Sequence, residues 1–381
     1  MRVVIVGGKL QGVEAAYLSR QAGWNVVLID KDKEAPAAGL CDEHYTLNIG
    51  ENDEELAKIL LKADFIVPAI EDSFVLETLV RVSSDIGIPL AFDPKAYQIS
   101  SSKKKSDLLF AKHGIPAPSY WPKCTLPLIV KPSDLSGSRG VEKISSIQEL
   151  SDILNQPTQY LDSVVIQEFL EGPSYLIEVI GCKGKIIPLQ ITDLEMDTDY
   201  DCNRVLAPTE LEPSLQSEFI EIAAKIGKII DLNGVMDVEV INYHGSLKVL
   251  EIDARLPSQT PTVVFKSSGI NILELLYEVF GDGCFSKERT VSPVKSIIYE
   301  HISVVRDGVK FPGEHVMGSA GSLRYVEDFF GADEAITNYD RGLQQWVATL
   351  IITGSNREEV VNKRAMVLEN IRKETTMYKT I

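Results

Sequence analysis

Four carboxylates and an arginine crowd the segment "GVMDVEVINYHGSLKVLEIDAR", residues 234–255. Two β-rich runs flank "NYHGS", which reads as a hairpin turn. With the turn centred on Gly245, Glu239 opposes Glu251 and Asp237 opposes Asp253. Side chains alternate along a strand, so all four carboxylates share one face with Ile241 and Val249, while Val238, Val240, Leu250 and Ile252 line the other. Like charges directly opposed across a sheet destabilise it. Carboxylates held together beside apolar side chains therefore need a counter-charge. All four are hard oxygen ligands with no histidine or cysteine among them, which points to Mg²⁺. The competing reading is a solvated acidic hairpin. Arg255 follows on the same parity, a fixed cation beside the set.

A second stretch, "LIVKPSDLSGSRGVEKI", ends an apolar strand with Lys131 and follows it with Ser133, Ser136, Gly137, Ser138 and Gly140. A loop of small residues exposes backbone N–H groups that can cradle phosphate oxygens. A lysine at the adjoining strand end adds a point charge for the same anion. No G-K-[ST] closes the loop, so it is not a Walker pattern. A third stretch, "VVIQEFLEGP", runs into Gln167, Glu168, Phe169 and Leu170 and breaks at Gly172 and Pro173. Such a connection offers free backbone N–H and C=O groups to an adenine edge.

These pieces need elements to hold them. Residues 1–95 alternate strand runs ("RVVIVGG", "WNVVLID", "HYTLNI", "ADFIVPAI", "IPLAFD") with helical patterns, the signature of a parallel, Rossmann-like α/β domain. The turn "GGKLQG" with Asp30 downstream approaches a dinucleotide fingerprint. Lys9 occupies the place of the middle glycine, so an NAD(P)-dependent oxidoreductase stands only as the rival reading. A central region, 96–180, carries the lysine strand, the loop and the hinge. The remainder, 181–381, mixes strands and helices around the acidic hairpin. The class is α/β, with α+β lobes after the first domain.

The chain has 381 residues, is 44% hydrophobic and carries a formal net charge of −17. An acidic balance argues against nucleic acid and anionic membranes as main partners. Five scattered cysteines with no C-x-x-C spacing argue against a zinc ribbon or disulfide framework. The expectation is a cytoplasmic enzyme with small-molecule partners, and a homodimer is left open.

Taken together, the lysine, the loop, the hinge and the hairpin resemble the ATP-grasp superfamily over about residues 1–285. That resemblance implies ATP held between two lobes, two Mg²⁺ ions and carbon–nitrogen bond formation through an acyl-phosphate. It assigns Lys131 to the α- and β-phosphates, with Lys103 or Lys104 as the other phosphate lysine. Ser138 and its loop form the lid, and Glu168, Phe169 and Leu170 form the adenine hinge. Glu239 and Glu251 become Mg²⁺ ligands, with Asp253 in place of the usual asparagine, and Arg255 steadies the transferring phosphoryl group. The family's ribose carboxylate is replaced by Ser174 and Tyr175; Glu178, on the same strand face as Ser174, is the expected substitute.

At finer grain, "GKLQGVEAAYLSRQAGWNVVLIDKD", "DCNRVLAPTELEPS" and "EIDARLPSQTPT" are similar to the ligase family of pyrrolysine biosynthesis. This implies joining of 3-methylornithine to the ε-amine of L-lysine. Gln11, Glu71 and Asp72 are then expected to receive a substrate ammonium group, and Ser258 and Thr260 a carboxylate end. Glu71, Asp72 and Asp231 are the candidate bases. Related ATP-grasp ligases or carboxylases remain alternatives.

Overall fold

The structure is a computed structural model that describes residues 1–285 and 292–377. Four parallel strands, β1 (Arg2–Val6), β2 (Asn25–Asp30), β3 (Glu43–Thr46) and β4 (Phe65–Pro68), form the first sheet in the order β3-β2-β1-β4. The run "IPLAFD" adds only a single bridge, Ile66 to Leu90. Helices Leu10–Gln21, Asp53–Leu60 and Ser73–Ile86 cover the sheet.

The glycine turn after β1 is closed by its own chain. Gly7 has φ +102°, and a Cβ on Gly12 would lie 2.1 Å from the Gly7 carbonyl oxygen, so both positions need glycine. Asp30, the expected ribose ligand of a dinucleotide, accepts from the Gly8 N–H at 2.6 Å and from the Asp32 N–H at 2.8 Å. The Ala37 N–H caps the Gly8 carbonyl at 2.9 Å. The glycines pack helix on strand, and Asp30 is spent on the turn. The oxidoreductase reading loses its ligand.

A small antiparallel sheet follows: β5 (Leu128–Pro132), β6 (Glu142–Ile144) and β7 (Val164–Glu168), in the order β6-β5-β7. The large sheet comprises β8 (Ser174–Cys182), β9 (Lys185–Met196), β10 (Cys202–Ala207), β11 (Gly234–Tyr243), β12 (Ser246–Asp253), β13 (Ser296–Val305), β14 (Gly308–Lys310), β15 (Arg324–Phe329), β16 (Ala332–Thr337) and β17 (Trp346–Gly354). Its order is β12-β11-β8-β9-β10-β13-β17-β16-β15, with β14 paired to β13. The small sheet thus ends at Glu168. Strand β8, grouped by the boundary at 180 with the central region, pairs with β9 and β11 instead. Gly172 and Pro173 break the chain between the two sheets, and the C-terminal strands continue the large one.

The hairpin register is Asp237 opposite Asp253 and Glu239 opposite Glu251, as the turn requires. Beyond Glu239 it shifts: Val240 pairs with Val249, which leaves Leu250 as the extra residue of a β-bulge. A bulge inverts the alternation that follows it. Val249 accordingly joins Val238, Val240 and Ile252 in the buried core, while Leu250 turns to the acidic face with Ile241. The expected positions of Val249 and Leu250 are exchanged.

Helix Leu10–Gln21 binds the first domain to the large sheet. The Thr262 N–H, in the first turn of helix Thr260–Ser268, donates to Glu14 Oε1 at 2.5 Å, and Asn271 Nδ2 donates to the Leu18 carbonyl at 2.8 Å. Glu14 is 1% exposed. Burial outweighs the hydrogen bonds from Thr262 and pushes its carboxyl from 4.5 up to about 8. The folded chain keeps this proton where the unfolded chain has lost it, so the contribution is full at low pH and is lost as pH rises between those two values. Glu14→Gln keeps the acceptor without the charge. It should raise the urea midpoint at pH 8, leave it nearly unchanged at pH 4, and flatten the slope between. An unchanged slope contradicts the assignment.

Candidate active site

Lys131, near the end of β5, is 7% exposed, and its Nζ donates to the Leu250 carbonyl at 3.2 Å. The bulge at Leu250 takes that carbonyl out of the regular ladder. Burial pushes the Lys131 ammonium pKa down, while Glu251, Asp107 and Glu239 oppose the shift. Lys103 opens helix Lys103–His113 and donates to Glu251 Oε1 at 2.8 Å and to the Leu135 carbonyl at 2.6 Å. Asp107 lies one turn on along the same helix face. Its carboxyl is pushed up by burial and pulled down by Tyr120, Lys131 and Lys103. Lys104, one residue round the helix, points elsewhere and donates to the carbonyls of Leu161 and Asp162 at 3.3 and 2.7 Å. Of the two lysines left open by the sequence, Lys103 faces the site.

Burial, then Glu251, pushes the Glu239 carboxyl up to about 7, with Lys131 and Lys103 pulling the other way. Asp253 is raised by burial and restrained by Arg255. Its Oδ2 meets Arg255 at 2.7 Å, and its buried Oδ1 has no partner. Arg255 also reaches Glu71 Oε1 at 2.8 Å. Burial works against its charge, yet Asp253, Glu71 and Asp237 raise its pKa. Among the described residues no three histidine, cysteine, aspartate or glutamate side chains converge as a ready-made metal cage. Mg²⁺ does not require one, since it keeps waters and takes phosphate oxygens beside one or two carboxylates. Near-neutral Glu239 and the orphaned Asp253 oxygen are groups that a divalent cation would satisfy, so the donor set fits Mg²⁺.

The loop after Lys131 is held down from three directions. Ser136 Oγ donates to Glu71 Oε2 at 2.5 Å, and Ser138 Oγ, on a residue at φ +57°, donates to the Tyr200 carbonyl at 2.6 Å. Gly137 lies on the His315 ring, where a Cβ would come within 2.7 Å of Cε1. His315 Nδ1 in turn sits 2.8 Å from Asp201 Oδ2. At the hinge, the Glu168 and Phe169 N–H groups donate to the Ser119 and Pro127 carbonyls at 2.9 and 3.0 Å. Phe169 carries Lys143 Nζ 3.8 Å above its ring. Ile129, Lys131, Phe169, Leu170, Ile241 and Leu250 line one cleft, which is apolar at the hinge end and charged at Glu239 and Glu251.

Several expected site residues lie elsewhere. Glu178 is fully buried opposite Asp237, while Ser174 lines the cleft beside the hinge. Four residues of strand separate them by about 13 Å, so a shared face does not bring Glu178 to a ribose. Burial pushes its carboxyl up to about 7. Asp72 is exposed and caps helix Ser73–Ile86 by accepting from the Val75 N–H at 3.1 Å. Asp231 is exposed in a left-handed turn after helix Pro213–Ile229 and lines none of the three clefts at the site. Gln11 Nε2 donates to Glu71 at 2.9 Å, so it holds Glu71 in place. Ser258 and Thr260 do line a cavity beside Arg255, but Ser258 Oγ is committed to Glu314 Oε2 at 2.6 Å. Gln259, Glu314 and His315 were not singled out for the site by the sequence, although Gln259 lies within "EIDARLPSQTPT". Asp201 ends the acidic run "DLEMDTDYD", which the sequence offers either as an attractor of diamino-acid substrates or as a solvated loop.

Residues 3–91 match the PylC-like N-terminal domain family, and residues 100–259 match the ATP-grasp domain family. The 3-methyl-D-ornithine–L-lysine ligase of Methanosarcina mazei is 37% identical over 358 residues, which span 94% of this chain and 92% of its own. This chain belongs to that ligase family. The Methanosarcina acetivorans ligase is 36% identical, with 95% of each chain covered. As a family member the chain is an ATP-dependent ligase that forms carbon–nitrogen bonds. The biotin carboxylase domain of the Hydrogenobacter thermophilus 2-oxoglutarate carboxylase, solved as a dimer with MgADP and bicarbonate, shares the fold. Its TM-score is 0.74 at 17% identity, over 97% of this chain and 89% of that one.

In this ligase, two adjacent pairs of residues divide their work. Lys103→Met should lower kcat/KM for ATP by about 100-fold or more, the usual loss of a charge-stabilising donor, while Lys104→Met should change it less than about threefold. Glu71→Gln should impair turnover. Asp72→Asn should be nearly silent, because asparagine caps a helix as well as aspartate. Steady-state ADP release reads all four, and the reverse order within either pair contradicts the geometry.

Proposed function

We propose that the chain joins the carboxylate of 3-methyl-D-ornithine to the ε-amine of L-lysine, with ATP converted to ADP and phosphate. The observation that carries this reading is that Glu251 lines the nucleotide cleft and two further cavities, with Arg255 set beside it between Asp253 and Glu71. One junction with three openings suits ATP and two amino acids.

In this reading the adenine lies against Phe169 and Leu170, with the phosphates toward Lys131 and Lys103 and under the loop at Ser138. Mg²⁺, for which we take two ions held by Glu239, Glu251 and Asp253, supplies charge neutralisation on the phosphates. The substrate carboxylate oxygen attacks the γ-phosphorus, ADP leaves, and Arg255 offsets charge on the transferring group. The lysine Nε then attacks the acyl carbon and phosphate departs. That nitrogen must first lose a proton; Glu71 and Asp253 both face the cavity lined by Lys105 and Arg139 and touch Arg255, and with Asp253 given to the metal, Glu71 is the base. The loop contacts from Glu71, Tyr200 and His315 keep water from the acyl-phosphate.

Incubation with ATP, 3-methyl-D-ornithine and lysine should yield one amide, located on Nε by fragmentation mass spectrometry. Ornithine, one methylene shorter, should react on the order of 100-fold more slowly, because its amine stops short of the acyl carbon. Glu251→Gln should fold and give no product. An α-linked amide, or wild-type turnover by a folded Glu251→Gln protein, contradicts the reading.

A further inference from the structure

Five cysteines are scattered along the sequence, and folding brings two of them together. Cys182 ends β8 and is fully buried. Cys284 follows helix Ile272–Phe280 in the segment "GDGCF" and is partly exposed. Cys182 Sγ donates to the Gly283 carbonyl at 3.6 Å, and that carbonyl belongs to the peptide bond leading into Cys284. The two thiols also hydrogen-bond to each other. Both side chains pack on one apolar cluster, with Phe285 alongside. The other three cysteines keep to separate places. Cys41 Sγ donates to the Ala37 carbonyl at 3.2 Å, Cys202 Sγ to the Arg204 carbonyl at 3.7 Å, and Cys124 packs on the core of the small sheet.

The surroundings set the two thiols to different tasks. Cys182 pairs with Lys185 across a tight hairpin. The two residues between them, Lys183 at φ +50° and Gly184 at φ +79°, both take left-handed backbone, as a type I′ turn requires. The turn brings Lys183 over the neighbouring segment, where a Cβ on Gly283 would lie 3.6 Å from its Nζ. A partly exposed sulfur beside an ammonium group is open to an anionic reagent from solution. Cys182 is not. Burial, then the Cys284 thiol, push its pKa from 9.0 up to about 11, against the pull of Lys183 and Lys185. It is shielded from solution yet within reach of the Cys284 sulfur.

We propose that Cys182 and Cys284 form a reversible disulfide by exchange with a low-molecular-weight disulfide, a modification site remote from the ligase chemistry. The Cys284 thiolate attacks one sulfur of the small disulfide, and the first small thiolate leaves. The Cys182 thiolate then attacks the Cys284 sulfur of the mixed disulfide and expels the second. Two protein thiols are oxidised, one small disulfide is reduced to two small thiols, and the two protein protons end on the leaving groups. Excess small thiol runs the same steps backwards. The bond ties the β8–β9 hairpin to the chain just past helix Ile272–Phe280. Ser174, at the other end of β8, lines the nucleotide cleft, and the strand between separates it from Cys182 by about 26 Å. The cross-link therefore braces the far end of the large sheet and leaves the catalytic groups where they are.

The test equilibrates the full chain in glutathione buffers of rising oxidised-to-reduced ratio, quenches with acid, and maps the alkylated digest by mass spectrometry. The wild type should yield a cross-linked peptide pair containing Cys182 and Cys284, with no lasting glutathione adduct. Cys182→Ser, or Cys182→Ala should serine not be tolerated, should instead hold glutathione on Cys284. Cys284→Ser should leave Cys182 unmodified. The oxidised wild type should melt on the order of 5 °C above the reduced form, lose that gain on reduction, and release ADP at an unchanged rate. Absence of the cross-linked pair at the most oxidising ratio overturns the proposal. So does a glutathione adduct that persists on Cys284 of the wild type, or a loss of turnover when the cross-link forms.

Discussion

The opposition of Glu239 to Glu251 across the terminal hairpin is the constraint on which the site depends. Two carboxylates facing each other at a sheet edge repel, and burial makes that repulsion stronger. The chain meets it by bringing Lys103 from a helix and Lys131 from a different sheet to the same face. Neither lysine fully ionises the pair, because Glu239 remains raised to about 7. The face is thus held short of positive charge, a state suited to a cation arriving with a polyphosphate. Asp253 and Arg255 extend the same logic one step further along the strand and carry it to Glu71 of the first domain.

The small sheet, the large sheet and the first domain consequently meet at charged side chains. The Leu250 bulge serves both sides of this meeting. It turns an apolar side chain into the nucleotide cleft and gives a carbonyl to Lys131. The loop above is fastened to Glu71, Tyr200 and the His315 ring, so closing the phosphate end also closes the cavity that holds Gln259 and Glu314.

Much of this was legible in the sequence because it is local. The turn at Gly245 determined the carboxylate register, the strand-end lysine was visible from its apolar run, and alternating periods revealed the parallel first sheet. Where local rules ran out, the reading failed in traceable ways. Strict alternation carries no sign of an extra residue, so Val249 and Leu250 were exchanged. Alternation reports a face and not a distance, so Glu178 was taken too near the hinge. A helix start uncertain by one residue left Lys103 and Lys104 equivalent until the helix was built. Asp72 looked like a ligand at a strand end, but a helix begins there and its first turn takes the carboxylate. Glu314 and His315 reach the site from beyond the segments that carry motifs.

The central claim is that this charged face transfers the γ-phosphoryl group to a carboxylate before lysine takes part. ATP labelled with ¹⁸O at the β-nonbridging positions tests it most directly. With 3-methyl-D-ornithine and Mg²⁺ but no lysine, reversible acyl-phosphate formation should scramble the label into the β,γ-bridge, as read by ³¹P NMR. Scrambling that appears only when lysine is added, or turnover without any scrambling while ADP rotates freely in the site, would contradict the account.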